Sequence, residues 1–304
     1  MNPIRFLSKC LTDPPAAWRS AKLVSRSIYG RVFWTLRSQA PLRYRLAGGG
    51  LLILEANHSF TNCFWPAVDD YEPDVRAALR HFLEPGATFV DCGANIGYFS
   101  VLAGHLVGPS GRVVAIEANP ATRRLLETNL KANGLGVPVA CALVAETGEV
   151  TLFVPREGGD VYSCLRTGGL VQGTEVEAIR VPGRTLDDVV SSMELDRLDL
   201  LKIDIEGGEL DVLQSARHVL RYLRPVVVCE YGANTWPAFN ATATQLLELL
   251  AQVDYSVGVF DVEGKRVLPV EDSVWDSPYA NLILQPRENY PRSSNSSSLL
   301  SATQ

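Results

Sequence analysis

The chain has 304 residues with 28 Lys and Arg against 34 Asp and Glu and a pI near 5.4, which argues against non-specific nucleic-acid binding, an activity that needs a net basic face. At 46% hydrophobic residues it is long enough to bury one large core, and no apolar stretch reaches the roughly 18 residues of a membrane span. There is no apolar signal core before a small-residue cleavage site, and the six cysteines form no CxxC pair, so a cytoplasmic location is expected.

Residues 1–50 form a basic extension, with nine Lys and Arg against the single acid Asp13. Its aromatic residues Phe6, Trp18, Tyr29, Phe33 and Trp34 are spaced for amphipathic helices interrupted by Pro14-Pro15. The reading preferred for them is an accessory layer packed on the main domain; the competing one is a weak contact of residues 1–45 with anionic lipid or an acidic substrate. Residues 51–86 form a lead-in: a break at Gly48-Gly49-Gly50, a strand over Leu51–Leu54, then a helix over 74–82 opened by Pro73 and closed by Glu84-Pro85-Gly86.

From residue 87 to 290 the pattern is regular. Seven apolar runs of strand length, at 89–91, 113–116, 137–144, 198–205, 226–229, 255–260 and 281–284, alternate with helical segments at 96–106, 120–132, 209–222 and 243–252. This alternation predicts an α/β fold with a mostly parallel, seven-stranded sheet and helices on both faces. Strands expected at 149–155 and 175–181 interrupt the rhythm as an inserted β segment, joined by a loop carrying Tyr162-Ser163-Cys164-Leu165. Residues 291–304 are Ser-rich and are expected to be a disordered tail.

Three constellations carry chemistry. Phe89-Val90-Asp91-Cys92-Gly93-Ala94-Asn95-Ile96-Gly97 reads as a strand running into a glycine turn and a helix, whose N-terminus offers N–H donors to an anionic group. The next strand ends at Glu117, followed by Asn119 and Pro120; an acid at that tip can accept both hydroxyls of an adenosine ribose. S-adenosylmethionine and NAD would both use it. Asn95 stands where a dinucleotide site wants its second glycine, which favours a ligand without pyrophosphate. In the third constellation, Lys202-Ile203-Asp204-Ile205-Glu206-Gly207-Gly208-Glu209, strand alternation puts Asp204 and Glu206 on one side, at the sheet edge that Glu230 also reaches. Glu209 reads as a charge favouring a helix N-terminus.

Taken in order, Val90 to Gly97, Ala115 to Pro120 and Lys202 to Glu209 resemble the FkbM family of S-adenosylmethionine-dependent methyltransferases, and Tyr71-Glu72-Pro73 fits the same resemblance. The resemblance implies a class I, Rossmann-like methyltransferase fold over 87–290, and S-adenosyl-L-methionine as cofactor. It further implies a cofactor site drawn from Asp91, Gly93, Asn95, Gly97, Glu117, Asn119, Ala142, Leu143 and Asp204. It makes a hydroxyl of a sugar, glycolipid or natural product the expected methyl acceptor. The chain departs from the family at Val144-Ala145 and at Ser163-Cys164, where an acid-bearing pair and a serine pair are usual.

An aliphatic hydroxyl is a poor nucleophile at neutral pH, so a base is expected. The candidates are Glu206, Asp204, Glu230 and His58, the last in an irregular stretch between aromatic residues. Clustered carboxylates also suit Mg²⁺, although no spacing demands a metal. Two other classes of function compete with this reading: a non-catalytic binding or scaffold protein on the same fold, and an NAD-linked oxidoreductase.

Overall fold

The computed structural model describes residues 40–56, 58, 61, 65–156, 163–167 and 173–289. The expectations for residues 1–39 and for the tail from 290 onward lie outside them.

The chain enters as a hairpin, β1 (Leu42–Arg45) with β2 (Leu51–Leu54), antiparallel with Leu42 opposite Leu54. The triple glycine is therefore the hairpin turn: Gly49 and Gly50 take φ of 99° and 93°, a backbone region costly for any residue with a Cβ. Helix α1 (Pro73–Phe82) follows, with Pro73 in its first turn. The glycine turn lies between β3 (Thr88–Cys92) and α2 (Tyr98–Val107). After β4 (Arg112–Ile116), α3 (Pro120–Ala132) starts where Pro120 fixes φ and Asn119 accepts a hydrogen bond from the Ala121 N–H at 3.0 Å.

The third sequence-predicted strand is reduced to β5 (Ala142–Leu143). Pro138 has no N–H for a ladder, and only an isolated bridge between Val139 and Ile116 ties the segment to β4. β5 instead joins the inserted strands β6 (Gly148–Pro155) and β7 (Val176–Arg184) in a separate three-stranded sheet of order β5-β7-β6. A bridge between Phe153 and Cys164 folds the connecting loop back toward β6.

Next come α4 (Leu186–Ser192), β8 (Leu200–Ile203), α5 (Glu209–Ser215) and β9 (Val226–Tyr231). The single helix expected over 209–222 stops at Ser215 and resumes as a π-helical turn at Val219–Leu223. The cause is distant in sequence: the Asp187 carboxylate takes the N–H groups of His218 and Val219, both at 3.0 Å. Helix α6 (Ala243–Val253) opens on a capping box of Thr242 and Gln245. The chain closes with β10 (Tyr255–Asp261), β11 (Arg266–Pro269) and β12 (Ala280–Pro286).

The main sheet has seven strands in the order β11-β10-β12-β9-β8-β3-β4. β4, β3, β8 and β9 run parallel, and β12 is antiparallel to both β9 and β10. The seventh strand is the hairpin partner β11, which periodicity had not flagged, in place of the segment at 137–144. Strand alternation sorts the core into two layers. Val90, Cys92, Leu201, Ile203, Val227 and Cys229 pack with α4, α5 and α6, while Phe89, Leu200, Val226 and Val228 pack with β2, α1 and α2. The sheet is thus covered on both faces, and the carboxyl ends of β3, β4, β8 and β9 are left to form a site. No described helix is long and apolar enough to cross a membrane.

Candidate active site

A cleft of about 450 Å³ opens at that edge, lined by Gly93 to Asn95, Glu117, Ala142, Leu143, Asp204 to Glu206 and Glu230, with Ser163 to Leu165 of the inserted loop on one wall. One half is apolar and glycine-walled. The other is acidic.

The glycine turn forms a fixed wall. Gly93 has φ 76°, and a Cβ there would stand 1.8 Å from the carbonyl oxygen of Asp204, so only glycine lets β3 and β8 approach so closely. The N–H groups expected to hold an anion are committed within the protein. Those of Gly93 and Ala94 donate to the Ile116 carbonyl, Asn95 to the Glu117 carboxylate, Ile96 to Asn95 Oδ1 and Gly97 to the Ala94 carbonyl. A pyrophosphate would find none of these five donors, which weighs against the dinucleotide reading.

Glu117 takes N–H groups from Asn95 and Asn119 at 2.9 and 2.8 Å. Burial nevertheless pushes its carboxyl up to about 7. It is a fixed acceptor beside an apolar slot that Ala142 and Leu143 also line.

Four of the sequence-derived candidates stand outside the cleft lining. Asp91 is fully buried behind the turn, where Ser100 Oγ donates to it at 2.6 Å. Gly97 is the left-handed N-cap of α2, and a Cβ on it would press on Leu126. Asn119 caps α3 and donates from Nδ2 to Ser163 Oγ at 3.1 Å, tethering the inserted loop. The reason is common to all three: the motifs contain both residues that face the ligand and residues that hold the turn. His58 is buried in the turn after β2, its N–H donating to the Glu55 carbonyl, away from the cleft. Of the four candidate bases, Asp204, Glu206 and Glu230 line the cleft and His58 does not.

The acidic half centres on Lys202, a residue not singled out beforehand although alternation places it on the same side of the strand as Asp204. Its side chain is 3% exposed, Nζ lies 2.7 Å from Asp204 Oδ2 and the ammonium sits over the Phe99 ring. Burial disfavours this charge, but Asp204, Asp91 and Glu72 outweigh burial and raise its pKa. Glu206 adopts a left-handed φ of 64° because β8 ends at Ile203. It shares the cleft with Asp204 through a turn and not through strand alternation. That turn is closed by Glu209, which accepts from the Ile205 and Gly207 N–H groups at 2.9 and 3.0 Å. Burial, reinforced by neighbouring acids, raises Glu206 and Glu230 well above the carboxylate range. Tyr71, Glu72 and Tyr279 also line the cleft. Tyr71-Glu72 carried a signal only through the family resemblance, and Tyr279 carried none. Among the described residues, no three His, Cys, Asp or Glu side chains are arranged to hold a metal ion.

A mostly parallel sheet with two reversed strands, β12 and the edge strand β11, a glycine turn after β3 and an acid at the tip of β4 define a class I methyltransferase fold. A model of the methyltransferase FkbM domain matches residues 91–257, more than half of the chain, and the chain belongs to that family. The hexuronic acid methyltransferase AglP of Haloferax volcanii is 27% identical over 158 residues, covering 52% of this chain and 61% of that protein. The 31-O-demethyl-FK506 methyltransferase FkbM of Streptomyces tacrolimicus is 32% identical over 166 residues, 45% of this chain and 63% of that protein. The chain thus spans less than two thirds of the length of these relatives. A solved methyltransferase FkbM from Methylobacillus flagellatus KT overlays with a TM-score of 0.41 at 18% identity, covering 74% of this chain and 54% of that one.

Proposed function

We propose that the protein is an S-adenosylmethionine-dependent O-methyltransferase acting on a hydroxyl of a sugar or natural product. The observation that carries this reading is the division of one cleft into a nucleoside-shaped slot ending on Glu117 and an acidic chamber at Asp204, Glu206 and Glu230. The residues fit the cofactor. Glu117 would hold the ribose hydroxyls, Ala142 and Leu143 would flank the adenine, and the wall from Gly93 to Asn95 would bound the methionine portion. When bound, the cofactor supplies an electrophilic methyl group on a sulfonium.

The chain's own part is to orient the acceptor and take its proton. Asp204 is engaged by Lys202, so Glu206 and Glu230 are the proton acceptors of choice. Their raised pKa values make them strong bases, and a positive charge in the adjacent slot would keep one of them ionised. The names of the two relatives, one a hexuronic acid methyltransferase and one a 31-O-demethyl-FK506 methyltransferase, support a hydroxylated acceptor. Cys92, Cys141, Cys164 and Cys229 are all free and buried, which suits the cytoplasmic location proposed here.

The test is methyl transfer from radiolabelled S-adenosylmethionine to a panel of glycosides, polyols and amino sugars. Transfer to oxygen is expected, with Glu206→Gln and Glu230→Gln each lowering kcat by about 10²-fold or more and leaving S-adenosylhomocysteine affinity intact. Full activity in both variants would remove them as bases, and labelling only of nitrogen would overturn the O-methylation reading.

A further inference from the structure

We infer that Glu72 responds to the charge of the cofactor: it ionises when the sulfonium of S-adenosylmethionine enters the cleft and is protonated again beside neutral S-adenosylhomocysteine. The protein thereby holds substrate in preference to product. This deepens the methyltransferase reading and rests on it.

Placement gives the first argument. Glu72 precedes the residues matched by the family model, which begin at 91. It stands at the N-cap of α1, where an acid is favoured by the helix dipole, yet its side chain makes no capping hydrogen bond and lines the cleft instead. Its backbone takes φ 38° and ψ 70°, a left-handed conformation uncommon outside glycine and retained where a site needs a side chain aimed. Glu72 Oε2 is buried with no hydrogen-bond partner, so packing and capping do not account for this carboxyl.

Its neighbours give the second. Lys202 of β8 and Asp204 and Glu206 of the following turn face it, as do Tyr98 of α2 and Tyr279 before β12. Tyr71 and Asp74 flank it in sequence, and Tyr71 hydrogen-bonds to it; Glu230 of β9 lines the same cleft. Burial and Asp204 push the carboxyl up, Lys202 and Tyr71 hold it down, and it settles at about 7. An acid balanced there changes charge when a neighbour's charge changes.

The charge balance of methyl transfer gives the third. A Cβ on Gly93 would stand 1.8 Å from the Asp204 carbonyl oxygen, so a methionine portion lying on the glycine wall brings its sulfonium beside these acids. Transfer forms an O–C bond and breaks the S–C bond, whose electron pair stays on sulfur. The sulfonium becomes a neutral thioether, and the hydroxyl proton passes to Glu206 or Glu230. Glu72 sheds one proton to solvent as S-adenosylmethionine binds and regains one when the positive charge is gone, so a whole turnover releases only the acceptor's proton. The neutral product then has no ionised Glu72 to hold it.

The experiment is calorimetry of the full chain with S-adenosylmethionine and with S-adenosylhomocysteine at about pH 6, in buffers of different ionisation enthalpy, which counts the protons released. Glu117 contributes alike to both ligands, so the excess seen with S-adenosylmethionine isolates the sulfonium. An excess of about one proton is expected, falling by about one in Glu72→Gln, whose folding is checked by its Tm. Because the free carboxyl titrates at about 7, the preference for S-adenosylmethionine over S-adenosylhomocysteine should grow about tenfold per pH unit below that point and level off above it. Should the variant not fold, the wild-type proton count and pH trend decide alone. Equal proton release with the two ligands, or an excess unchanged in Glu72→Gln, would overturn the inference and leave the methyltransferase reading intact; binding of neither ligand would instead fail that reading.

Discussion

Glu117 shows how a single side chain can be held by the fold and still remain available. Two backbone N–H groups fix its orientation, and together with Arg123 they favour the carboxylate, while burial and Asp91 oppose it; burial wins, and the group sits at about 7. The ribose hydroxyls are donors, so the ionised form is the binding form. Affinity for S-adenosylhomocysteine should therefore rise as pH goes from below to above about 7 and level off beyond. In Glu117→Gln the residual binding should lose this step. Calorimetry across that range checks both, and a wild-type affinity that falls with rising pH would contradict the assignment. Lys202 illustrates the complementary case, a buried ammonium kept charged by Asp204, Asp91 and Glu72, which organises the acids around it.

At the scale of elements, the decisive piece is the turn between β8 and α5. Glu209 was expected to favour a helix N-terminus through its charge, and it is indeed in the first turn of α5. The structure adds a second role: its Oε1 accepts from the Ile205 and Gly207 N–H groups, pinning the loop that carries Glu206. Glu209→Ala frees two donors of a buried loop at a cost of about 1–3 kcal/mol. The expected result is a lowered Tm and a kcat loss larger than the KM change, because Glu206 is no longer held; Glu209→Gln, which keeps an acceptor oxygen, should recover much of the kcat. Equal loss in both variants would mean that the charge, and not the staple, matters.

Elements of this kind also show what sequence could reveal. Helix α3 was read at its observed bounds because its determinants, Pro120 and the Asn119 cap, are local. The break after Ser215 was invisible because its cause, Asp187, lies on another helix. β5 was overestimated because Pro138 and the exchange of partner from β4 to β7 do not alter the apolar run. In the site, Gly93, Asn95, Glu117, Asp204 and Glu230 were legible from motif and strand ends, Ala142 and Leu143 through the family resemblance, and Glu206 from its motif although a turn and not alternation places it; all line the cleft. His58 was misplaced because an irregular stretch has no period from which to read facing. Tyr279 reaches the cleft through tertiary packing alone.

For the whole molecule, two apolar layers clamp one sheet, and the site lies where strand ends, the inserted β5-β7-β6 sheet and the segment before α1 converge. Nothing in that cleft requires a pyrophosphate, and the turn that would hold one has its own N–H groups engaged. The central claim is thus a claim about cofactor. It is tested most directly by calorimetric titration of the full chain with S-adenosylmethionine, S-adenosylhomocysteine and NAD, repeated on Glu117→Ala. The account predicts binding of both sulfur compounds, no binding of NAD, and loss of binding in the variant. Binding of NAD, or of neither sulfur compound by a folded protein, would contradict it.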